Sequence, residues 1–328
     1  DVFDQFEDHV DPAGERVAQS RSLAVSQLLA DARLGVRWSP VDELRLDVGV
    51  RADLANVRIV DHLADDAAGA STLFAASPRV SLAWFALPRL HVFASYGRGL
   101  RPPEARAASS FTPSHVGLGD EVASDAGSPS MTASDAVEVG LRSPVARWLT
   151  VSLAGFGTFI ERESIYDHVS GTNLALNGTR RLGVELQLTS QPVEGLTLDA
   201  DVTWVDARFS ESGSLVPLAP WLTAGLLGTY THASGVRAGL HLLVIAPRTL
   251  PHGATGAARA SLDVTLGWHW RWLRLDLEVE NVLAQDLREG EYHFASDWTP
   301  ESGGASRLPV LHTVPGAPIN ARLTLGAN

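Results

Sequence analysis

From residue 182 to residue 204, apolar and polar side chains take turns. Leu182, Val184, Leu186 and Leu188 alternate with Gly183, Glu185, Gln187 and Thr189. Leu196, Leu198, Ala200, Val202 and Trp204 alternate with Thr197, Asp199, Asp201 and Thr203, and Gln191-Pro192-Val193-Glu194-Gly195 lies between the two runs. Successive strand side chains point to opposite faces, so a period of two broken by Pro and Gly predicts an antiparallel hairpin, here within Asn173 to Phe209. Each arm then has one apolar face and one face of carboxylates and hydroxyls.

The same unit recurs along the chain. Residues 1 to 22 are polar and mixed in sign and read as a loop. Ala30 to Trp38 and Leu44 to Ala52 form the first pair of arms around Ser39-Pro40, with the pattern fading near Val60 and a loop expected over 61 to 74. Further pairs follow: Val80 to Trp84 with Leu90 to Tyr96, Val137 to Leu141 with Leu149 to Phe159, the 182 to 204 hairpin, and Leu222 to Tyr230 with Val236 to Val244. Leu262 to Trp270 with Leu273 to Val279 comes next, and a last arm covers Ile319 to Leu325. The pattern predicts about thirteen strands, with short connections near 40, 88, 144, 192, 234 and 271 and long ones between, including loops at 161 to 172 and 284 to 316.

That asymmetry of connections, more than the periodicity, selects a fold class. A soluble β-sandwich alternates in the same way. Short turns on one side, long loops on the other and aromatic girdles at two levels are the pattern of an antiparallel up-and-down transmembrane β-barrel. Trp38, Trp84, Trp148, Trp270 and Trp272 lie beside short turns, whereas Tyr96, Trp204 and Trp221 lie toward the long loops. An outward Arg at mid-membrane costs about 2 to 4 kcal/mol. The off-phase residues Arg33, Arg45, Asp47, Glu138, Glu185, Asp199, Asp201, Asp263, Asp276 and Glu278 are therefore expected to face a lumen.

Composition narrows the chemistry. A formal charge of −12 over 328 residues argues against nucleic acid as a partner. All 26 basic residues are arginine, and cysteine is absent, which removes disulfides, thiolate metal sites and a cysteine nucleophile. No apolar run approaches the roughly 18 residues of a spanning helix, and the first residues, DVFDQFEDHV, have no signal-peptide pattern. HExxH, P-loop, GxSxG and CxxC motifs are missing, so no catalytic residue, cofactor or metal site is expected and the chain is not expected to be an enzyme. Thirteen strands place the first and last in the same direction, whereas single-chain bacterial barrels close with even numbers; strands upstream of residue 1 would resolve the conflict.

Two polar clusters are candidates for ligand binding on the long-loop side. One is Arg98, Arg101, Glu104 and Arg106; the other is Arg288, Glu291, Tyr292, His293 and Trp298 in the last long loop. Bidentate Arg contacts and aromatic stacking suit an anionic or metal-chelate ligand. Such residues also serve to tie loops to one another and to a barrel rim.

Three stretches resemble the C-terminal barrel of TonB-dependent outer-membrane receptors. They are SYGRGLRPPEARA (95 to 107), NGTRRLGVELQLTSQPVEGLTLDADVTWVDARF (177 to 209) and VENVLAQDLREGEYHFASDW (279 to 298). The resemblance implies a 22-stranded barrel around an N-terminal plug in the bacterial outer membrane. It also implies small-molecule uptake, as of a ferric siderophore, driven by a TonB partner acting on the plug. On that reading residues 1 to 328 are a single partial barrel domain, beginning in an extracellular loop and lacking the plug, with outer-membrane lipid as a further partner. The alternatives are a passive porin of 12 to 14 strands, which requires the strand at 30 to 38 to meet the strand at 319 to 325, and a membrane-embedded hydrolase, which requires a Ser and a His within reach on adjacent strands.

Overall fold

The computed structural model describes residues 2–10, 16–62, 67–102, 131–167, 172–296 and 308–327. Its strands are β1 (Val2–Val10), β2 (Arg16–Val41), β3 (Leu44–Asp61), β4 (Ala67–Leu87), β5 (Leu90–Arg101), β6 (Thr132–Ala146), β7 (Leu149–Ile160), β8 (Glu163–Asp167), β9 (Thr172–Leu176) and β10 (Thr179–Ser190). They continue as β11 (Leu196–Phe209), β12 (Leu222–Thr231), β13 (Val236–Ile245), β14 (Arg248–Thr249), β15 (Thr255–Gly256), β16 (Arg259–Trp270), β17 (Leu273–Glu280), β18 (Arg288–Ser296), β19 (Leu308–Pro315) and β20 (Asn320–Ala327).

Fourteen strands form one sheet in the order β1-β2-β3-β4-β5-β6-β7-β10-β11-β12-β13-β16-β17-β20. Neighbours are antiparallel throughout. This is the up-and-down wall the alternation predicts, since each hydrogen-bonded ladder joins strands that follow one another within the sheet. The hairpins β8-β9, β14-β15 and β18-β19 stand apart, within the long connections. Among the described residues, β20 pairs only with β17, and β2 only with β1 and β3, so the contact a self-contained porin requires is not formed.

Four loop expectations are corrected. Residues 1 to 22 hold β1 and the start of β2, β4 already begins at Ala67, and the last long loop carries the β18-β19 hairpin. A short hairpin likewise occupies part of 161 to 172. With β1 the sheet gains one strand over the thirteen visible as alternation.

The physical reason for the missed strands is a reversal of the apolar face. In β3, Leu44, Leu46, Val48, Val50, Ala52 and Leu54 share one face; beyond it the apolar residues are Ala55, Val57 and Ile59, on the other. In β11 the apolar phase runs from Leu196 to Trp204 and then shifts to Val205, Ala207 and Phe209. Strand β2 shifts between Leu28 and Val25, and β4 between Phe74 and Leu73. Below the shift, Leu34 is 73% exposed on the outer face. Above it, Leu23, Val25, Val57 and Ile59 form one buried cluster on the inner face, and Leu176, Ala207, Phe209 and Val216 form another. The outer face turns polar at the same level, where Asn56 donates to the Thr72 hydroxyl at 2.8 Å.

From Leu44 to Leu54 there are ten residue steps, which at a tilt near 45° rise roughly 24 Å, the height of an outer-membrane apolar band. The lower section therefore meets hydrocarbon and the upper section meets water. Trp38, Trp84, Trp148, Trp270 and Trp272 are exposed at the short-turn end, and Trp204 and Trp221 at the other.

Aromatic rings on the inner face settle over glycines of the next strand. Phe93 faces Gly140, and Phe156 faces Gly183. A Cβ at either glycine would lie 2.4 Å from the ring, so no larger residue fits beneath it.

Candidate functional site

The inner face of the membrane section is a continuous polar wall. Arg37 meets Asp47 at 2.6 Å, Arg51 meets Asp53 at 2.5 Å, and Arg33 meets Asp31 at 3.1 Å. Farther along, Asp276 takes Arg237 at 2.9 Å and also Arg274, while His241 stands 3.8 Å from Asp263. All belong to the phase opposite the exposed apolar residues. A concavity of about 750 Å³ opens on this wall, lined by Arg37, Asp47, Arg79, Glu138, Phe156 and Glu185 among others.

At the long-connection end, the rim is built around Glu291. Its side chain is 1% exposed and receives Arg248 and Arg288, each at 3.0 Å. The Ala257 N–H donates to both carboxylate oxygens at 3.0 Å. A buried carboxylate needs this many partners to offset its desolvation. The clamp joins β14, the residue after β15, and β18, so the connection between β13 and β16 is tied to the last hairpin. His293 adds a second tie, its Nδ1–H donating to the Pro251 carbonyl at 2.7 Å. Beside the clamp lies a cavity of about 240 Å³ with Arg248, Arg259, Asp286, Arg288 and Glu289 in its lining. The buried Nε of Arg259 has no hydrogen-bond partner among the described residues.

The structure separates the two candidate clusters. Arg288, Glu291 and His293 belong to the clamp, and the Tyr292 ring lies against Gly290. Arg101 is on the lumen phase of β5, whereas Arg98 shares the outer phase with Tyr96 and grips Asp135 through two hydrogen bonds of 2.9 and 2.8 Å. Glu104, Arg106 and Trp298 lie outside the described residues. Arg248 and Arg259 were not singled out by the sequence, because each is a lone arginine whose partners are distant in the chain. His232 meets Ser234 at 2.8 Å, but both lie in one exposed short turn rather than on adjacent strands.

Local chemistry explains the near-terminal motif. Asn281 is buried and has a left-handed φ of 50°. Its N–H donates to Asp263, its amide nitrogen donates to the Gln285 and Ala317 carbonyls, and its amide oxygen accepts the Gln285 N–H. Asn tolerates that backbone region and satisfies every polar atom there, so β17 ends in a fixed turn.

Residues 12–282 match the family model described as TonB dependent receptor-like, beta-barrel. The chain belongs to this family. TonB-dependent receptor barrels are bacterial outer-membrane proteins, which accords with the exposed apolar band of β3. Solved structures agree on the fold. The ferric-catecholate import receptor Fiu of E. coli K12 superposes with a TM-score of 0.71 at 15% identity, over 99% of this chain and 50% of that one. The siderophore receptor PiuA of Acinetobacter baumannii gives 0.67 at 12% identity, over 94% and 44%. The ferric yersiniabactin uptake receptor FyuA of Yersinia pestis gives 0.67 at 16%, over 93% and 46%. The chain thus spans about half the length of these receptors. No curated protein sequence matches it. In a TonB-dependent receptor barrel the ion-paired wall faces the lumen, and the Glu291 clamp stands at the rim that carries the long connections.

Proposed function

We propose that this chain is the ligand-facing wall of a receptor that imports a scarce anionic metal chelate, such as a ferric siderophore, with energy supplied through TonB. The membership in the TonB-dependent receptor barrel family carries the reading, and the similar receptors, named for ferric chelates, support the ligand class. The chelate meets the rim first, where Arg259 lines the cavity beside the clamp and Arg101 lies on the lumen phase. Arginine suits this task because its planar fork pairs carboxylates and catecholate oxygens at any physiological pH. The inner ion pairs hold lumen side chains in place along the path below.

Radioactive-iron uptake from a panel of ferric chelates tests this, in cells whose only ferric-chelate receptor is the complete protein carrying this wall. Uptake of at least one chelate is expected, abolished by removal of TonB. Arg259→Ala is expected to raise the half-saturating concentration roughly tenfold, the loss of one charge-assisted hydrogen bond. Uptake that persists without TonB and scales with solute size alone would replace the reading with passive diffusion.

A further inference from the structure

A row of side chains crosses the outer face just above the apolar band. Arg98 pairs in register with Asp135, Asp135 with Phe159, Phe159 with Arg180, and Arg180 with Arg208. The five residues sit on β5, β6, β7, β10 and β11, and span about 19 Å at a strand spacing near 4.8 Å. Each continues the outward apolar phase of its strand: Val92 on β5, Val137 on β6, Gly157 on β7, Leu182 on β10 and Trp204 on β11. The row therefore lies at the boundary where hydrocarbon gives way to headgroups.

Charges along the row are unevenly matched. Arg98 is held by Asp135, and Arg208 leans on Asp206 at 2.8 Å and donates to the Gly213 carbonyl at 3.0 Å. Glu161, one diagonal from Arg180, accepts the Ala133 N–H at 3.3 Å. The Arg180 side chain is exposed and has no ion pair or hydrogen bond among the described residues. Arg180 stands directly opposite Arg208, whose charge Asp206 offsets, so the charge left unmatched in the row is that of Arg180. An anion docking there gains charge-assisted contacts from the Arg180 guanidinium.

We infer that Arg180, flanked by Arg208, forms a docking site for the phosphate of an outer-leaflet glycolipid, whose acyl chains lie on Phe159 beside it and on Leu182, Val184 and Trp204 below. Charge complementarity supplies the phosphate, and the apolar surface selects a lipid over a free ion. The site is on the opposite face of the wall from the ligand path and does not rest on the uptake reading.

The test uses the complete protein in detergent, titrated with lipid A, with fully dephosphorylated lipid A and with inorganic phosphate, and read by thermal unfolding and by native mass spectrometry of bound lipid. Lipid A is expected to raise the melting temperature and remain bound, while inorganic phosphate at the same phosphate concentration does neither. Arg180→Leu removes an exposed charge at the edge of the apolar band and so should fold as well as the parent. It is expected to weaken lipid A binding roughly tenfold and to leave binding of the dephosphorylated lipid unchanged. Arg180→Lys, which keeps the charge but not the fork, should fall between. Equal lipid A binding by the parent and Arg180→Leu, or protection by inorganic phosphate equal to that by lipid A, would overturn the assignment.

Discussion

The lower and upper halves of β3 share a backbone ladder and differ in what bathes them. From Leu44 to Leu54 the apolar residues point outward, and from Ala55 to Ile59 they point inward. Strand β11 repeats the switch between Trp204 and Val205. The difference teaches that the wall has two kinds of apolar surface. Below, side chains face a solvent as apolar as themselves and pack against little protein. Above, the same residue types are excluded from water and packed against one another. Substitutions should therefore have different costs on the two levels, even when the residue removed is similar.

The largest contrast is expected between Phe209→Ala and Leu34→Ala. Phe209 is fully buried in the upper cluster, so its removal should cost about 3 to 5 kcal/mol. Leu34→Ala should cost clearly less, because lipid fills the space. Urea unfolding in lipid vesicles checks both, and similar costs would break the distinction.

Ion pairs should divide the same way. Glu291→Ala leaves Arg248 in a buried rim without its partner and is expected to cost about 3 to 5 kcal/mol in local stability. Limited proteolysis within 246 to 259 would detect the loosened connection. Asp47→Ala, on the exposed lumen wall, should cost about 1 kcal/mol or less.

A charge placed outward reads the level directly. Val184→Arg, in the apolar band, is expected to cost about 2 to 4 kcal/mol, whereas Thr72→Arg, above it, should stay within about 0.5 kcal/mol. A large penalty at Thr72 would move the upper membrane boundary above that residue.

A steric contrast sharpens the inner face. Gly183→Val drives a side chain into the Phe156 ring and the Trp204 carbonyl, which a Cβ would approach to 2.4 and 2.5 Å. A cost of about 1 to 3 kcal/mol is expected, partly relieved by Phe156→Ala in the same chain. Absence of relief would assign the penalty to the backbone contact alone.

The membrane half was legible in the sequence because lipid enforces one apolar phase over ten residues, as from Leu44 to Leu54. The upper half was not, since a reader following that phase meets Ala55, Val57 and Ile59 one position out of step and takes the pattern to fade. Residues 16 to 29 and 67 to 74 were missed for the same reason. The rim was partly legible: Arg288, Glu291 and His293 stood out as a polar group, but their partners Arg248, Ala257 and Pro251 are roughly forty residues away and come together only through the sheet. Arg98 and Arg101 are close in sequence, yet strand alternation puts them on opposite faces.

The rings seated over Gly140 and Gly183 bear on how the wall reaches a single register. A strand that slips by two residues keeps its apolar side toward lipid, so the membrane alone does not reject the error. After such a slip, Phe156 would stand opposite Arg181 or Glu185 instead of Gly183, and Phe93 opposite Glu138 or Arg142 instead of Gly140. Each ring then meets a long side chain where it needs none. The two joints act as keys that admit one alignment, and they give the β5-β6 and β7-β10 pairings a proofreading step that alternation cannot provide.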